Sequence, residues 1–263
     1  MNTKERQMDG KKFCFISCVN DEVLYAECER HIDALHTPDG YKIEKVKITG
    51  AKGMAEAYQK AMQQSDARYK VYLHQDTFIL NKNLLHDVLQ LFTRHPRIGM
   101  IGVVGATRLP SSGVWFNSAL HSFGEARENR RGGGLNYLLG KWNKQTDRLM
   151  RFRRVRGEYL PVVVIDGLIM ITQYNIPWRT DLYGGFIYYE GPQCIEFIKQ
   201  GYEVVVPRQK PTWCMHYGNR TERAKDEEER YRAQFRANME IFRREYAEFL
   251  RKPARTLLEK YRR

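Results

Sequence analysis

Apolar and polar positions along the first hundred residues follow a pattern that predicts strands separated by helices. Alternating or continuous apolar runs, typical of strands, occupy 12–19, 41–48, 70–73 and 97–104. Apolar residues three or four apart, typical of helices, occupy 21–36, 54–65 and 83–95. Strand–helix alternation of this kind predicts an α/β fold with a mostly parallel central sheet flanked by helices.

The second half of the chain is less regular. A strand pattern, a short helix and a further strand are predicted in turn at 161–172, 193–200 and 202–206. A longer helix over 221–246 is indicated by an apolar stripe of Tyr231, Phe235, Met239, Phe242 and Tyr246. We therefore predict one domain over 1–218 and a basic, amphipathic, helical C-terminal extension over 219–263.

The segment 106–158 breaks the pattern, with three consecutive glycines, many arginines and little periodicity. Its charge is concentrated at 127–156, where ten Lys or Arg residues stand against two acidic ones, a local charge of +8. We predict an irregular excursion from the sheet, which is either a solvated loop of no special role or a lid or acceptor loop.

The whole chain carries a net charge of +13, so an anionic partner is expected. Nucleotides, nucleic acids, phospholipids and acidic glycans all meet this condition, and charge alone does not choose among them. The extension over 219–263 adds fourteen basic and nine acidic residues, a local charge of +5. A basic amphipathic helix packs either on its parent domain or on an anionic membrane.

The composition, 42% hydrophobic and 29% charged, is that of a globular protein. No apolar run reaches the roughly 18 residues that span a bilayer, and the polar N-terminus has no signal-peptide core. Five cysteines without metal-type spacing indicate a reducing compartment. These features predict a cytoplasmic protein.

One strand ends abruptly in a carboxylate. Val71 and Leu73 alternate with Tyr72, and Asp76 follows at the carboxyl end, where open α/β sheets place their ligand sites. Asp76 either caps a turn or holds a divalent cation that binds a diphosphate. No glycine-rich nucleotide fingerprint occurs. The turn ending at Gly53 is an ordinary one or offers backbone N–H groups to a phosphate.

Four further side chains have both a structural and a chemical interpretation. Asp166, inside an apolar segment, either bonds backbone amides at a kink or faces the sugar or acceptor. Glu190 is a helix-start carboxylate or a general base. His216 is a packing or surface residue, or it completes the coordination of a metal at Asp76. His74, two residues before Asp76, is a further candidate ligand for that metal but is interpreted mainly as structural.

These pieces occur in a familiar order: Asn20-Asp21-Glu22, Tyr72-Leu73-His74-Gln75-Asp76, Ile165-Asp166-Gly167, Tyr189-Glu190 and His216. Over roughly residues 12–218 the chain resembles the family-2 type of GT-A glycosyltransferases. Within it, the Y-L-H-Q-D strand end is similar to that of the bacterial subgroup named after the StrF protein of streptomycin biosynthesis. His74 and Glu190 stand where that family usually has Asp.

The resemblance implies transfer of a sugar from a nucleotide-diphospho-sugar donor to an acceptor hydroxyl by a metal-dependent, inverting displacement. Bacterial polysaccharide, glycolipid or secondary-metabolite synthesis is the expected setting. Mn²⁺ or Mg²⁺ is implied as cofactor, held by Asp76 and His216. Glu190 is implied as the catalytic base, and we group Asp166 with it. The implied nucleotide-sugar contacts are Asn20, Glu22, Glu44, Gly53, His74, Gln75 and Asp76.

A rival interpretation is a weak or inactive GT-A-like protein that binds nucleotide, anionic membrane or nucleic acid through its basic surface. For the transferase we expect an anionic acceptor and no nucleic-acid partner. The basic C-terminal helix is expected to permit peripheral contact with the inner face of the membrane. A transferase needs Asp76 and a divalent ion, whereas binding driven by charge alone needs neither and weakens with salt.

Overall fold

The computed structural model describes residues 7–131, 145–217 and 225–262, which form two sheets with surrounding helices. The strands before residue 110 are β1 (Asp9–Val19), β2 (Lys42–Thr49), β3 (Ala67–Leu73), β4 (Thr77–Ile79), β5 (Ile98–Ile101) and β6 (Val104–Ala106). The later strands are β7 (Ser122–Arg131), β8 (Gln145–Arg151), β9 (Tyr159–Val162), β10 (Val164–Ile165), β11 (Ile169–Thr172), β12 (Glu203–Pro207) and β13 (Cys214–His216).

The helices cover the sheets. They are α1 (Glu22–Asp33), α2 (Met54–Gln64), α3 (Leu84–Arg94), α4 (Glu190–Lys199), α5 (Lys225–Glu245) and α6 (Ala254–Lys260). Short 3₁₀ turns occupy Trp115–Asn117, Ala119–His121 and Ala247–Phe249. α1 begins where predicted, because the Asp21 side chain accepts hydrogen bonds from the backbone N–H groups of Val23 and Leu24.

The large sheet has seven strands in the order β2-β1-β3-β11-β5-β12-β9. β1 pairs in parallel with β2 and β3, and β12 pairs in parallel with β5. β11 lies antiparallel between β3 and β5, and β9 lies antiparallel at the edge beside β12. Five of the seven strands therefore run in one direction, which confirms the predicted α/β class with a mostly parallel sheet.

Helix packing follows the predicted periodicity. α3 buries the residues of one face, Leu84, Leu85, Val88, Leu91 and Phe92. α2 does the same with Met54, Ala55, Ala57, Tyr58, Ala61 and Met62. Each large apolar side chain that leaves water in this way contributes about 1.5–3 kcal/mol, so these faces fix the helices against the sheet.

A second, smaller sheet lies beside the first and has the path β10-β6-β7-β13-β4, with β8 paired to β7. The prediction of an irregular 106–158 segment was wrong for much of its length, because β7 and β8 pair over seven register positions there. These strands contain few apolar residues, so they lack the alternation by which a strand is found. Residues 132–144, with the three glycines, lie outside the described residues.

The C-terminal helix packs on the domain. Phe242 of α5 and Tyr246, the residue that follows the helix, are buried, and the Tyr246 hydroxyl donates a 2.9 Å hydrogen bond to Glu196 of α4. The C-terminal part of the apolar stripe is therefore covered by the domain, whereas Tyr231, Phe235 and Met239 are half-buried. Peripheral contact with a membrane stays a prediction. Among the helices of the described ranges, none is long and apolar enough to cross a bilayer.

Candidate active site

Two strand ends meet at the carboxyl edge of the large sheet. β1 ends at Val19 and its parallel neighbour β3 ends at Leu73. The side-chain oxygen of Gln75 accepts hydrogen bonds from the backbone N–H groups of Asn20 (2.8 Å) and Asp21 (2.9 Å). The Gln75 amide in turn donates to the Asn20 side chain. Gln75 therefore holds the two strand ends together and fixes the residues on either side of it.

His74, Asp76 and His216 form a cluster with the geometry of a metal site. The antiparallel pairing of β4 with β13 sets His216 opposite Thr77, next to Asp76. Nε2 of His216 lies 3.4 Å from Oδ2 of Asp76. One ligand atom from each of the three residues lies within 4.8 Å of the others. Ligands around one ion at 2.0–2.3 Å are up to about 4.5 Å apart, so small side-chain shifts suffice.

The hydrogen bonds of His74 select its tautomer. Nε2 of His74 lies 2.6 Å from the Tyr189 hydroxyl, which donates to the carbonyl oxygen of Gly167 at 3.2 Å. The single hydroxyl proton is used on Gly167, so this network assigns Nε2 of His74 as the donor and leaves a lone pair on Nδ1. Burial lowers the pKa of His74, which favours the neutral form that ligates metals.

Asp76 and His216 form a charged pair beside His74. Burial opposes ionisation of Asp76, but the hydrogen bond from His216 together with the charges of His216 and His74 outweighs it, so the pKa of Asp76 is lowered. Burial likewise disfavours the charged form of His216, yet the hydrogen bond to Asp76 raises its pKa. The carboxylate of Asp76 is thus ionised near neutral pH and available as an anionic ligand.

Glu190 is the first residue of α4 and is half-buried. Burial raises the pKa of Glu190 to about 7, against the opposing effect of its own backbone N–H, and the charge of Asp166 adds to the rise. A carboxyl group that titrates near neutrality is well suited to proton transfer. Asp166 itself accepts a 2.9 Å hydrogen bond from the backbone N–H of Leu168, at the turn between β10 and β11.

A cavity of about 190 Å³ brings these groups together. His74, Asp166 and Glu190 all line it. Its walls are largely aromatic and are formed by Trp115, Phe116, Phe186, Tyr188, Tyr189, Tyr231, Phe235 and Phe242. The last three belong to α5, so the C-terminal helix completes the cavity.

Tyr188 stands out in this wall. Its φ of 67° lies in the left-handed region, which is strained for a bulky residue. Its ring packs on Phe235 and Phe242, with centroids 5.1 and 5.8 Å away. The buried hydroxyl has no hydrogen-bond partner within the part of the chain that the structure describes. A buried polar group of this kind is costly unless a ligand satisfies it.

Two other residues predicted to contact the nucleotide, Glu22 and Glu44, lie in different places in the structure. Glu22 lies at the carboxyl edge, at the start of α1, in an ion pair with Lys47. Glu44 was predicted to lie there too, and this is wrong. It pairs in register with Cys14, five residues before β1 ends, or about 17 Å away along the strand. Its carboxylate is instead bonded by Ser65 at 2.7 Å.

Gly53 packs closely against Gly185, and its predicted phosphate contact stays a prediction. A Cβ atom at Gly53 would lie 2.7 Å from the backbone nitrogen of Gly185. The next N–H, that of Met54, donates to the carbonyl oxygen of Gly185 at 2.9 Å. The glycine is explained by this close approach of two backbones, and one N–H that a phosphate would need is already used.

Sequence reasoning missed two features of this site, Tyr188 and the aromatic wall from α5. It named His74 as a further candidate ligand but interpreted it mainly as structural, whereas the structure places it within the cluster. Tyr188 and the aromatic wall from α5 were not associated with Glu190. The H-x-D spacing at His74 was a usable signal, whereas nothing in the sequence indicates the positive φ of Tyr188.

The fold is that of GT-A glycosyltransferases. The mannosyltransferase PcManGT from Pyrobaculum calidifontis, in complex with GDP-Man and Mn²⁺, is similar with a TM-score of 0.54 and 12% identity, over 95% of this chain and 68% of that one. S. aureus TarS 1–349 gives a TM-score of 0.45 at 10% identity, over 90% of this chain and 74% of its own. At such identities the likeness concerns the fold alone.

The family of the chain is identified from its amino-acid sequence. The model of the glycosyltransferase-like family matches residues 14–238, and the chain belongs to this family. No curated protein matches the chain in sequence. Membership of the StrF-named subgroup stays a prediction.

Proposed function

We propose that the protein transfers a sugar from a nucleotide-diphospho-sugar to an acceptor hydroxyl, with inversion at the anomeric carbon and with help from a divalent metal. The observation that carries this proposal is the single cavity lined by both His74, a candidate metal ligand, and Glu190, a candidate base. A transferase needs these two functions on either side of one reacting carbon.

The proposed donor site lies at the carboxyl edge of β1 and β3. Asn20 and Glu22 are assigned to the nucleoside. Gln75 is hydrogen-bonded to both the backbone and the side chain of Asn20, and Glu22 is paired with Lys47. Asp76 and His216, with His74, are assigned to the metal and diphosphate. The mannosyltransferase of similar fold, which was solved with GDP-Man and Mn²⁺, supports a nucleotide sugar as donor and makes GDP the first nucleotide to test.

The donor set fits a transition ion better than magnesium. Two imidazoles and one carboxylate suit Mn²⁺ and its neighbours, whereas Mg²⁺ prefers oxygen ligands throughout. Three protein ligands leave coordination positions for diphosphate oxygens. When bound there, the ion would supply positive charge to the departing nucleoside diphosphate.

Glu190 is the proposed base. Its ionised carboxylate takes the proton of the acceptor hydroxyl, and the hydroxyl oxygen forms a bond to the anomeric carbon. The bond from that carbon to the diphosphate oxygen breaks in the same displacement, and the electron pair leaves with the nucleoside diphosphate. A single displacement inverts the carbon and requires no covalent sugar–enzyme intermediate.

The aromatic cavity is the proposed acceptor subsite. Sugar rings present apolar C–H faces that pack on aromatic side chains, and their hydroxyls need polar partners in a buried site. Phe235 and Phe242 offer such faces, and the unsatisfied hydroxyl of Tyr188 offers a partner. Asp166, at the same cavity, keeps Glu190 basic through its charge.

The test is calorimetric titration of GDP, UDP and dTDP, first with Mn²⁺ and then with EDTA. We expect one nucleotide to bind only with metal, and Asp76→Ala to abolish that binding. Asp39→Ala, an exposed turn residue, is the matched control and should bind like the wild type. If none of the nucleotides binds in either condition, the transferase proposal fails and the chain is an inactive GT-A-like protein.

A further inference from the structure

A large concavity in the described part of the chain lies outside the proposed active site. It is a groove of about 830 Å³. β7, the end of β8, the loop at 154–156 and the β12–β13 connection at 207–212 form its walls. Ligand sites in proteins are commonly 300–1,000 Å³, so the groove is large enough for several linked chemical groups.

The lining of this groove is strongly basic. Five cationic side chains line it: Arg127, Arg154, Arg156, Arg208 and Lys210. All five are exposed. Glu125 is the acidic side chain in the lining, and it accepts a 2.6 Å hydrogen bond from the hydroxyl of Thr212. A concave surface lined by one sign of charge concentrates ions of the opposite sign.

The groove is separate from the proposed donor site. In the parallel register of β7 and β13, Glu128 pairs with His216 and Arg127 pairs with Met215. Because side chains alternate between the faces of a sheet, Arg127 points away from the face of His216. Arg127 therefore does not face the proposed donor diphosphate, and His74, Asp76 and His216 are not among the residues that line the groove.

We propose that this groove binds a linear, phosphate-bearing polymer. Five cations along one groove fit a chain with repeated negative charges better than a single small anion, and arginine matches phosphate oxygens with paired N–H groups. If the proposed function holds, this polymer is the acceptor: about 13 Å of extended chain separates Thr212 in the groove from His216 in the cluster, a span of several linked units.

Two other classes of polyanion fit the lining less well. Proteins that bind single-stranded nucleic acid stack its bases on aromatic side chains, and none of the described residues that line the groove is aromatic. A bilayer is broad and flat, whereas the five cations lie around a concave groove. A flexible phosphate-bearing chain without nucleobases needs no aromatic stacking partners and can follow a concave surface.

The test measures binding of inorganic polyphosphate to the full chain, at low and at moderate salt. The groove variant Arg154→Gln/Arg156→Gln/Arg208→Gln/Lys210→Gln removes four exposed charges. A matched control, Lys60→Gln/Lys82→Gln/Arg236→Gln/Arg243→Gln, removes the same number from exposed positions elsewhere. Single-stranded oligothymidine and phosphatidylglycerol vesicles are the comparison ligands.

We expect polyphosphate to bind, and the groove variant to bind about tenfold or more weakly than the wild type, because charge-assisted hydrogen bonds are lost. The control should change the affinity by less than about twofold, as distant exposed charges are screened. Equal losses in both variants, or no binding at all, would overturn the proposal.

Tighter binding of oligothymidine or of vesicles through the same four residues would also overturn it, in favour of nucleic acid or membrane. Asp76→Ala distinguishes a failure of this inference from a failure of the proposed function. It should leave polyphosphate binding unchanged even though it removes metal-dependent nucleotide binding. If polyphosphate binding does not depend on the groove residues while nucleotides still bind, only the inference about the groove is rejected.

Discussion

The small sheet has two concavities near it, and they differ in size, polarity and kind of charge. The cavity beside Glu190 is about 190 Å³, aromatic, and lined by groups that titrate. The groove beside Arg127 is about 830 Å³ and is lined by exposed, permanently charged side chains. Burial strengthens electrostatic effects and shifts the pKa of a titratable group such as Glu190, which suits proton transfer. Exposure leaves charges hydrated and screened, which suits recognition of a long partner.

The largest effect is expected at the base. Glu190→Gln keeps the shape of the side chain but cannot accept the acceptor proton, so kcat should fall by about 10²–10⁴. Release of nucleoside diphosphate from the donor selected by calorimetry measures this change. Nucleotide affinity should be unaffected. Glu56→Gln on the exposed face of α2 is the control, and a similar loss there would contradict the assignment.

The next largest effect is a difference in pH dependence between catalysis at the cavity and binding in the groove. Burial raises the pKa of Glu190 to about 7, so the fraction of ionised base rises through neutral pH. Below this value kcat/KM should fall about tenfold per pH unit, because only the carboxylate accepts a proton. Polyphosphate binding in the groove should stay nearly constant over pH 6–8. A rate that does not change between pH 5 and 8 would exclude Glu190 as the base.

A smaller effect is expected at the cavity wall. Tyr188→Phe removes one buried hydroxyl and should raise the KM for the acceptor about tenfold, by loss of one hydrogen bond. The kcat should change little. The free energy of unfolding should stay equal or rise slightly, because the hydroxyl has no partner in the described structure. A clear loss of stability with unchanged KM would show that the hydroxyl is structural.

The smallest effect is expected on the free energy of unfolding when Glu190, the proposed base, is replaced. A folded-state pKa raised from 4.5 to about 7 means that the folded protein holds this proton more tightly than the unfolded chain. Stability due to Glu190 is therefore full below about pH 4.5 and declines as the pH rises to 7. Glu190→Gln should unfold with about 1–2 kcal/mol more free energy than the wild type at pH 8.

Chemical denaturation at pH 8 and pH 5 checks this prediction, since the difference between variant and wild type should shrink at the lower pH. Glu56→Gln should show no such pH-dependent difference. A variant that is less stable at pH 8 would mean that the carboxylate of Glu190 makes favourable contacts, and it would weaken the argument for a raised pKa.

The regular first half of the fold was predictable because its strands and helices bury apolar faces. α3, for example, shows in its sequence the same stripe that it buries in the structure. β7 and β8 were not predictable, because their side chains are mostly polar and their pairing depends on each other and on β13. Pairing between distant strands leaves no periodic signal in either one.

The sequence by itself determined the α/β class, the placement of Asp76 after a strand and of Glu190 at a helix start. These are local features, set by periodicity and by chain direction. Only the tertiary structure decided that His74 joins Asp76 and His216, that Glu44 lies away from them, and that α5 covers the cavity of Glu190. Such outcomes depend on contacts between residues far apart in the chain, and burial, which shifts the pKa of Glu190, exists only once those contacts form.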